Sequence, residues 1–162
     1  MRRGRAWLAH TLVSVSAPGE PGPRSRDVPG AEADPELVDF ATKIFNLARG
    51  GDTAAIAAYV DAGVPVDLTN DKGDSLLMLA AYHGHAATVE ALLERGADPG
   101  RPNDRGQTPL AGAVFKNEPQ IVRALLEAGA DPAAGQPSAA DTAAMFGNEE
   151  FLAWFAGRRD RE

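Results

Sequence analysis

Apolar residues first fall into helical spacing at "DPELVDFATKIFNLARGG" (34–51). Leu37, Phe40 or Ala41, Ile44, Leu47 and Ala48 recur at three- and four-residue intervals, the stripe of an amphipathic helix. Asp34 is placed to cap that helix and Pro35 suits its first turn. Glu36 adds a negative charge where the helix dipole favours one, and Gly50 with Gly51 ends the run. Downstream the same logic returns in shorter units. "SLLMLAAYHG" (75–84) and "TPLAGAVFKN" (108–117) read as short first helices whose Ala80, Ala81, Gly112 and Ala113 permit close approach. "TVEALLERG" (88–96) and "IVRALLEAG" (121–129) read as second helices, with a Gly expected one residue after each helical run.

These units are periodic. Gly63, Gly96 and Gly129 are spaced by 33 residues, as are Gly51 and Gly84, Asp71 and Asp104, and Gly73 and Gly106. Apolar positions keep the same step: Ile56, Val89, Val122; Tyr59, Leu92, Leu125; Val60, Leu93, Leu126. "ALLERGADP" (91–99) and "ALLEAGADP" (124–132) differ only at Arg95 against Ala128. One such unit cannot bury its own hydrophobic face, so the pattern is restated until stacked neighbours share a core.

The chain resembles the ankyrin-repeat family. The family pattern stands in "DRGQTPLAGAVFKNEPQIVRALLEAGADP" (104–132) and, slightly decayed, in "DKGDSLLMLAAYHGHAATVEALLERGADP" (71–99). Thr108, Pro109 and Leu110 open the first helix as the family writes it; Ser75, Leu76 and Leu77 replace them one repeat earlier. The family's following His is Met78 or Ala111 here, so a helix-to-loop hydrogen bond is expected to be missing. Gly84-His85 keeps the family's turn before the second helix, with His85 expected to bond locally; the next repeat has Asn117-Glu118. The resemblance covers residues 35–157 and implies an all-α solenoid of stacked helix-turn-helix repeats with short loop or hairpin tips.

Divided on that basis, residues 34–70 form an N-terminal capping repeat, 71–103 and 104–137 two regular repeats, and 138–157 a C-terminal cap. The cap aligns with its predecessor at an offset of 30, matching Phe151 to Ile121, Leu152 to Val122 and Phe155 to Leu125. Residues 158–162 read as a charged tail, and residues 1–33, rich in Pro, Gly, Ser and charge, as a disordered one. "MRRGRAWLAHTLVSVSA" (1–17) carries an alternative: basic residues, a partly apolar run and small residues at a cleavage spacing suit an export signal. His10 and Thr11 interrupt that run, so the expected location is cytoplasmic.

Composition narrows the function. There is no Cys, which removes disulfides and thiolate metal sites, and no run approaches the ~20 apolar residues of a membrane span. Residues 34–162 hold eleven basic and twenty acidic residues, a net of −9. An acidic body repels phosphate backbones, so neither nucleic acid nor membrane is an expected partner. Thirteen of the sixteen basic residues are Arg in an Ala-rich chain, a bias of GC-rich, bacterial coding sequences.

A catalytic or metal site is not expected. His83 and His85 are two apart at a helix junction, not at the i, i+4 spacing that puts two imidazoles on one helix face. Asp67, Thr69, Asp71 and Gly73 approach a calcium loop, but Met78 stands where its bidentate Glu would be. No phosphate loop or nucleophile motif is present, and no cofactor is expected.

The resemblance instead implies protein binding through loop tips and the exposed side of the first helices. Carried over by position, the tips are Asp71, Lys72 and Asp74, then Asp104, Arg105 and Gln107. The first-helix positions are Tyr82 and His83, then Phe115 and Lys116, with Phe146 in the shortened last repeat; Arg49 precedes and Met145 joins this row. The expected function is a non-enzymatic, monomeric interaction module whose protein partner offers a basic patch. The alternative is an acidic immunity or inhibitor-type protein that masks one enzyme by electrostatic steering.

Overall fold

A computed structural model describes residues 34–161. The expected tail at 1–33, with its candidate signal, lies outside the described residues. Eight helices follow: α1 Pro35–Gly50, α2 Thr53–Asp61, α3 Leu76–Tyr82, α4 Ala86–Glu94, α5 Pro109–Phe115, α6 Pro119–Glu127, α7 Ala139–Met145 and α8 Glu149–Arg161. The fold is an all-helical stack of helix pairs. The first helices α1, α3, α5 and α7 pack in series, α2, α4 and α6 form a second row, and each first helix packs on its own second helix.

The caps explain where the helices begin. Asp34 Oδ1 accepts from the Glu36 amide at 3.1 Å and the Leu37 amide at 3.4 Å. Ser75 Oγ accepts from Met78 N at 3.0 Å, Thr108 Oγ1 from Ala111 N at 3.1 Å and Ser138 Oγ from Asp141 N at 3.0 Å. A hydroxyl thus satisfies one free amide at the start of each short first helix. The second helices stop differently from expectation. Arg95 and Ala128 are the half-helical cap residues, and Gly96 and Gly129 fall one place further, at φ 91° and 105°. The left-handed residue belongs after the cap, since it turns the chain out of the helix. The backbone of α8 likewise continues to Arg161, past the boundary expected at 157, because no Pro interrupts "GRRDR".

The core runs along both rows. Ile44, Ile56, Leu76, Leu77, Val89, Leu92, Leu110, Ile121, Val122, Leu125 and Phe151 are all fully buried. Tyr59, in register with Leu92 and Leu125, is only half-buried and meets Phe40 edge-on at 5.5 Å between centroids. In the last pair, offset by 30, Phe151 and Phe155 are buried and Leu152 half-buried.

Each repeat also leans on the turn of the one before. Gly51, at φ 75°, ends α1 against the ring of His85, and a Cβ there would overlap that ring. His85 Nε2 lies 2.7 Å from the Arg49 carbonyl oxygen. The expected local bond of His85 is therefore a link across 36 residues, because the imidazole reaches back to the unsatisfied C-terminus of α1. Glu118 does the same without the ring: its carboxylate lies over Gly84, where a Cβ would come within 2.8 Å of it. At the last junction Asn148 Nδ2 donates to Asn117 Oδ1 at 3.5 Å; Asn117 is the one described non-glycine residue with positive φ, 58°.

Candidate functional site

Two asparagines build the loop tips. Asn70 Oδ1 accepts from the Lys72 and Asp74 amides, both at 2.9 Å. Asn103, 33 residues on, accepts from the Arg105 and Gln107 amides, both at 3.0 Å. Each side chain thereby folds its tip into a tight turn. The tips are tied to one another as well. Asp104 N donates to Lys72 O at 3.0 Å, Gln136 N to Gly106 O at 2.9 Å, and Asn103 Nδ2 to Asp74 Oδ1 at 2.9 Å. Gly73 makes this approach possible, since a Cβ there would stand 2.8 Å from the Asp104 backbone nitrogen.

Between these tips and helices α3 and α5 runs a groove of about 520 Å³. Asp71, Lys72, Asp74, Asp104, Arg105 and Gln107 form one rim, and Tyr82 and Phe115 stand on the other side. His83, Lys116 and Phe146 are not in the lining. They sit just beyond it, at the ends of the first helices, and all three are exposed. Met78, Leu79, Ala111 and Gly112 make the floor and Asn103, Pro137 and Thr142 complete the wall. Sequence reading passed over these residues. The equal spacing of Asn70 and Asn103 was the signal available for the tips; the floor residues look like ordinary core.

The large side chains of the row are accessible. Tyr82 is 38% exposed, Phe115 53%, Phe146 55% and Met145 68%. Tyr82 still rests on the neighbouring repeat, 3.6 Å from the position a Cβ of Gly112 would take. Lys116 Nζ lies 5.0 Å from the centre of the Tyr82 ring, and the Phe115 and Phe146 rings are 5.6 Å apart. His83 meets Tyr82 edge-on at 5.5 Å. Its pKa is held below the ordinary His value, first by partial burial and then by the positive charges of His85, Arg49 and Lys116.

Among the described residues no three His, Asp or Glu side chains gather as a metal site, and no helix is long and apolar enough to cross a membrane. The geometry offers a contact surface: apolar rings, charged rims and a preformed cleft.

Comparison with known proteins agrees with the repeat geometry. The family profile described as ankyrin repeats, three copies, matches residues 44–136. A Pseudomonas aeruginosa protein, PA3287, named as an ankyrin repeat protein, is 48% identical over 59 residues, 36% of this chain. The match spans about a third of that relative, 34% of its length. With helix pairs in a repeating stack and the profile covering more than half its length, the chain belongs to the ankyrin-repeat family.

Proposed function

We propose that this chain is a non-enzymatic module that captures a protein partner in the groove between its loop tips and first helices. Ankyrin repeats are in general protein–protein interaction modules. The observation that carries the reading here is the exposure of Phe115 and Phe146, packed on each other at the edge of the groove. Paired rings give large contact area at low side-chain entropy cost, as interface anchors do. Asp71, Asp74 and Asp104 outnumber Lys72 and Arg105 on the tip rim, which favours basic side chains of the partner there.

The test is capture from native cell extract by the immobilised full chain and by its Phe115→Ala, Phe146→Ala variant. Loss of the captured protein at an unchanged melting temperature supports the groove. Capture that survives both truncations removes it.

A further inference from the structure

The net charge of the array hides an opposite local charge. Arg49 ends α1, His83 ends α3 and Lys116 ends α5, all at the turn between first and second helix. His83 feels Arg49, His85 and Lys116 together, so the three turns share one positive field. The carboxylate on this side is Glu118, which leans over Gly84; no carboxylate is among the groups that shift His83. Arg49 spends one guanidinium nitrogen on Asn46 Oδ1 at 2.8 Å, and Lys116 covers Tyr82. Neither cation is bound to a carboxylate. Helices α3 and α5 have seven residues each, so the tip rim and the turn rim stand about 10 Å apart at 1.5 Å per residue.

We infer that the turn rim, formed by Arg49, His83 and Lys116 beside Phe115 and Phe146, takes an acidic segment of a protein partner that also carries apolar side chains. Carboxylates meet the cations, and the apolar side chains cover the paired rings. The acidic tip rim, one short helix away, repels that segment and so fixes which way round it lies. Positive charge at helix C-termini also suits the helix dipole, but that role needs no exposed aromatic pair beside it. A long polyanion is disfavoured by the −9 of residues 34–162, whereas a short acidic segment reaches the local field alone. The inference rests on the groove reading and adds the chemistry of what enters it.

His83 makes the site pH-sensitive. A carboxylate brought beside it favours its protonated form, and by linkage the protonated form holds the carboxylate more tightly. The groups that face it are Arg49 from α1, His85 and Glu118 from the turns, and Lys116 from the end of α5. Binding should tighten as pH falls through the titration of His83, until the segment's own carboxylates protonate near about pH 4.3.

The probes are an acetylated peptide of repeated Glu-Leu-Glu units, its counterpart with Lys for Glu, and vesicles of phosphatidylserine. Proton NMR of the His83 ring in the full chain reads all three. The acidic peptide should move the His83 resonances, raise its titration midpoint and bind ~10-fold more tightly than the Lys peptide, the gain expected from one well-placed charged contact. Lys116→Glu with Arg49→Glu should abolish that selectivity. Equal binding of both peptides, stronger binding of the Lys peptide, or preference for the vesicles overturns the inference. So does a charge-reversal variant that changes only the melting temperature, which would leave the cations a helix-end role. Loss of partner capture in Phe115→Ala, Phe146→Ala without any peptide selectivity keeps the groove and discards the acidic segment.

Discussion

Arg95 forms a forked ion pair with Asp61: Nε lies 2.9 Å from Oδ1 and Nη2 3.2 Å from Oδ2. Its Nη1 also donates to the Ala91 carbonyl at 2.9 Å. Position 95 is the one place where the two nine-residue segments differ, and the pair joins the ends of α2 and α4. The counterpart of Asp61 one repeat on is Glu94, which faces Ala128 and instead lies 3.9 Å from Arg95 itself. The pair is a surface contact. Arg95→Ala should lower the melting temperature at low salt, and the difference should vanish near about 1 M salt, where the screening length is about 3 Å.

Leu92 and Leu125 are fully buried in consecutive repeats. Each Leu→Ala should cost ~2–5 kcal/mol in urea unfolding, because the stack collapses only partly around the space left. With stability shared between nearest neighbours, either loss should also lower the unfolding midpoint of the whole array rather than of one helix pair.

Gly51 and Gly96 separate two kinds of glycine requirement. Both have positive φ, 75° and 91°, but a Cβ meets nothing within 4 Å at Gly96 and overlaps the His85 ring at Gly51. Gly96→Ala should cost ~1–2 kcal/mol from backbone conformation alone. Gly51→Ala should cost more, since His85 must also give up its bond to the Arg49 carbonyl. Denaturant titration of the two variants checks the order, and His85→Ala in the Gly51→Ala background should recover only the overlap.

Asn103 holds four hydrogen bonds, two accepted from amides of its own tip and two donated, to Asp74 and Gln107. Asn103→Ala should cost ~1–3 kcal/mol and speed hydrogen exchange at the Arg105 and Gln107 amides. Unchanged exchange there would mean the tip is shaped by its glycine instead.

His83 has a folded pKa below its ordinary 6.5. The unfolded chain then takes up the proton more readily than the folded one. Stability is therefore full above about pH 6.5 and falls as pH drops through the window below it. The decline in urea midpoint between about pH 7.5 and about pH 5.5 should be shallower in His83→Gln, with the parent chain as reference.

Most of the fold was legible because burial leaves a period. Ile56, Val89 and Val122 repeat every 33 residues and all are fully buried. The hydroxyl at Ser75, Thr108 and Ser138 likewise marked three helix starts. The exposure of Tyr82 and Phe115 was not legible, because a large apolar residue at a repeating position reads equally as core or contact. The floor from Met78 and Gly112 was hidden for the same reason. His85 escaped too: its partner lies 36 residues back, and no local spacing points there.

The bonds from Asp104 to Lys72 and from Gln136 to Gly106 make the tips a ruler. They hold neighbouring tips at the helix-stacking interval, about 8–10 Å. A partner that reads Asp71 and Asp104 together must present two groups at that pitch. On an extended segment those groups are three residues apart, at about 3.3 Å per residue. On a helix they are six or seven apart, at about 1.5 Å per residue. A single-residue insertion between them in the partner puts one group out of step, and no change of amino-acid type at either end restores the match.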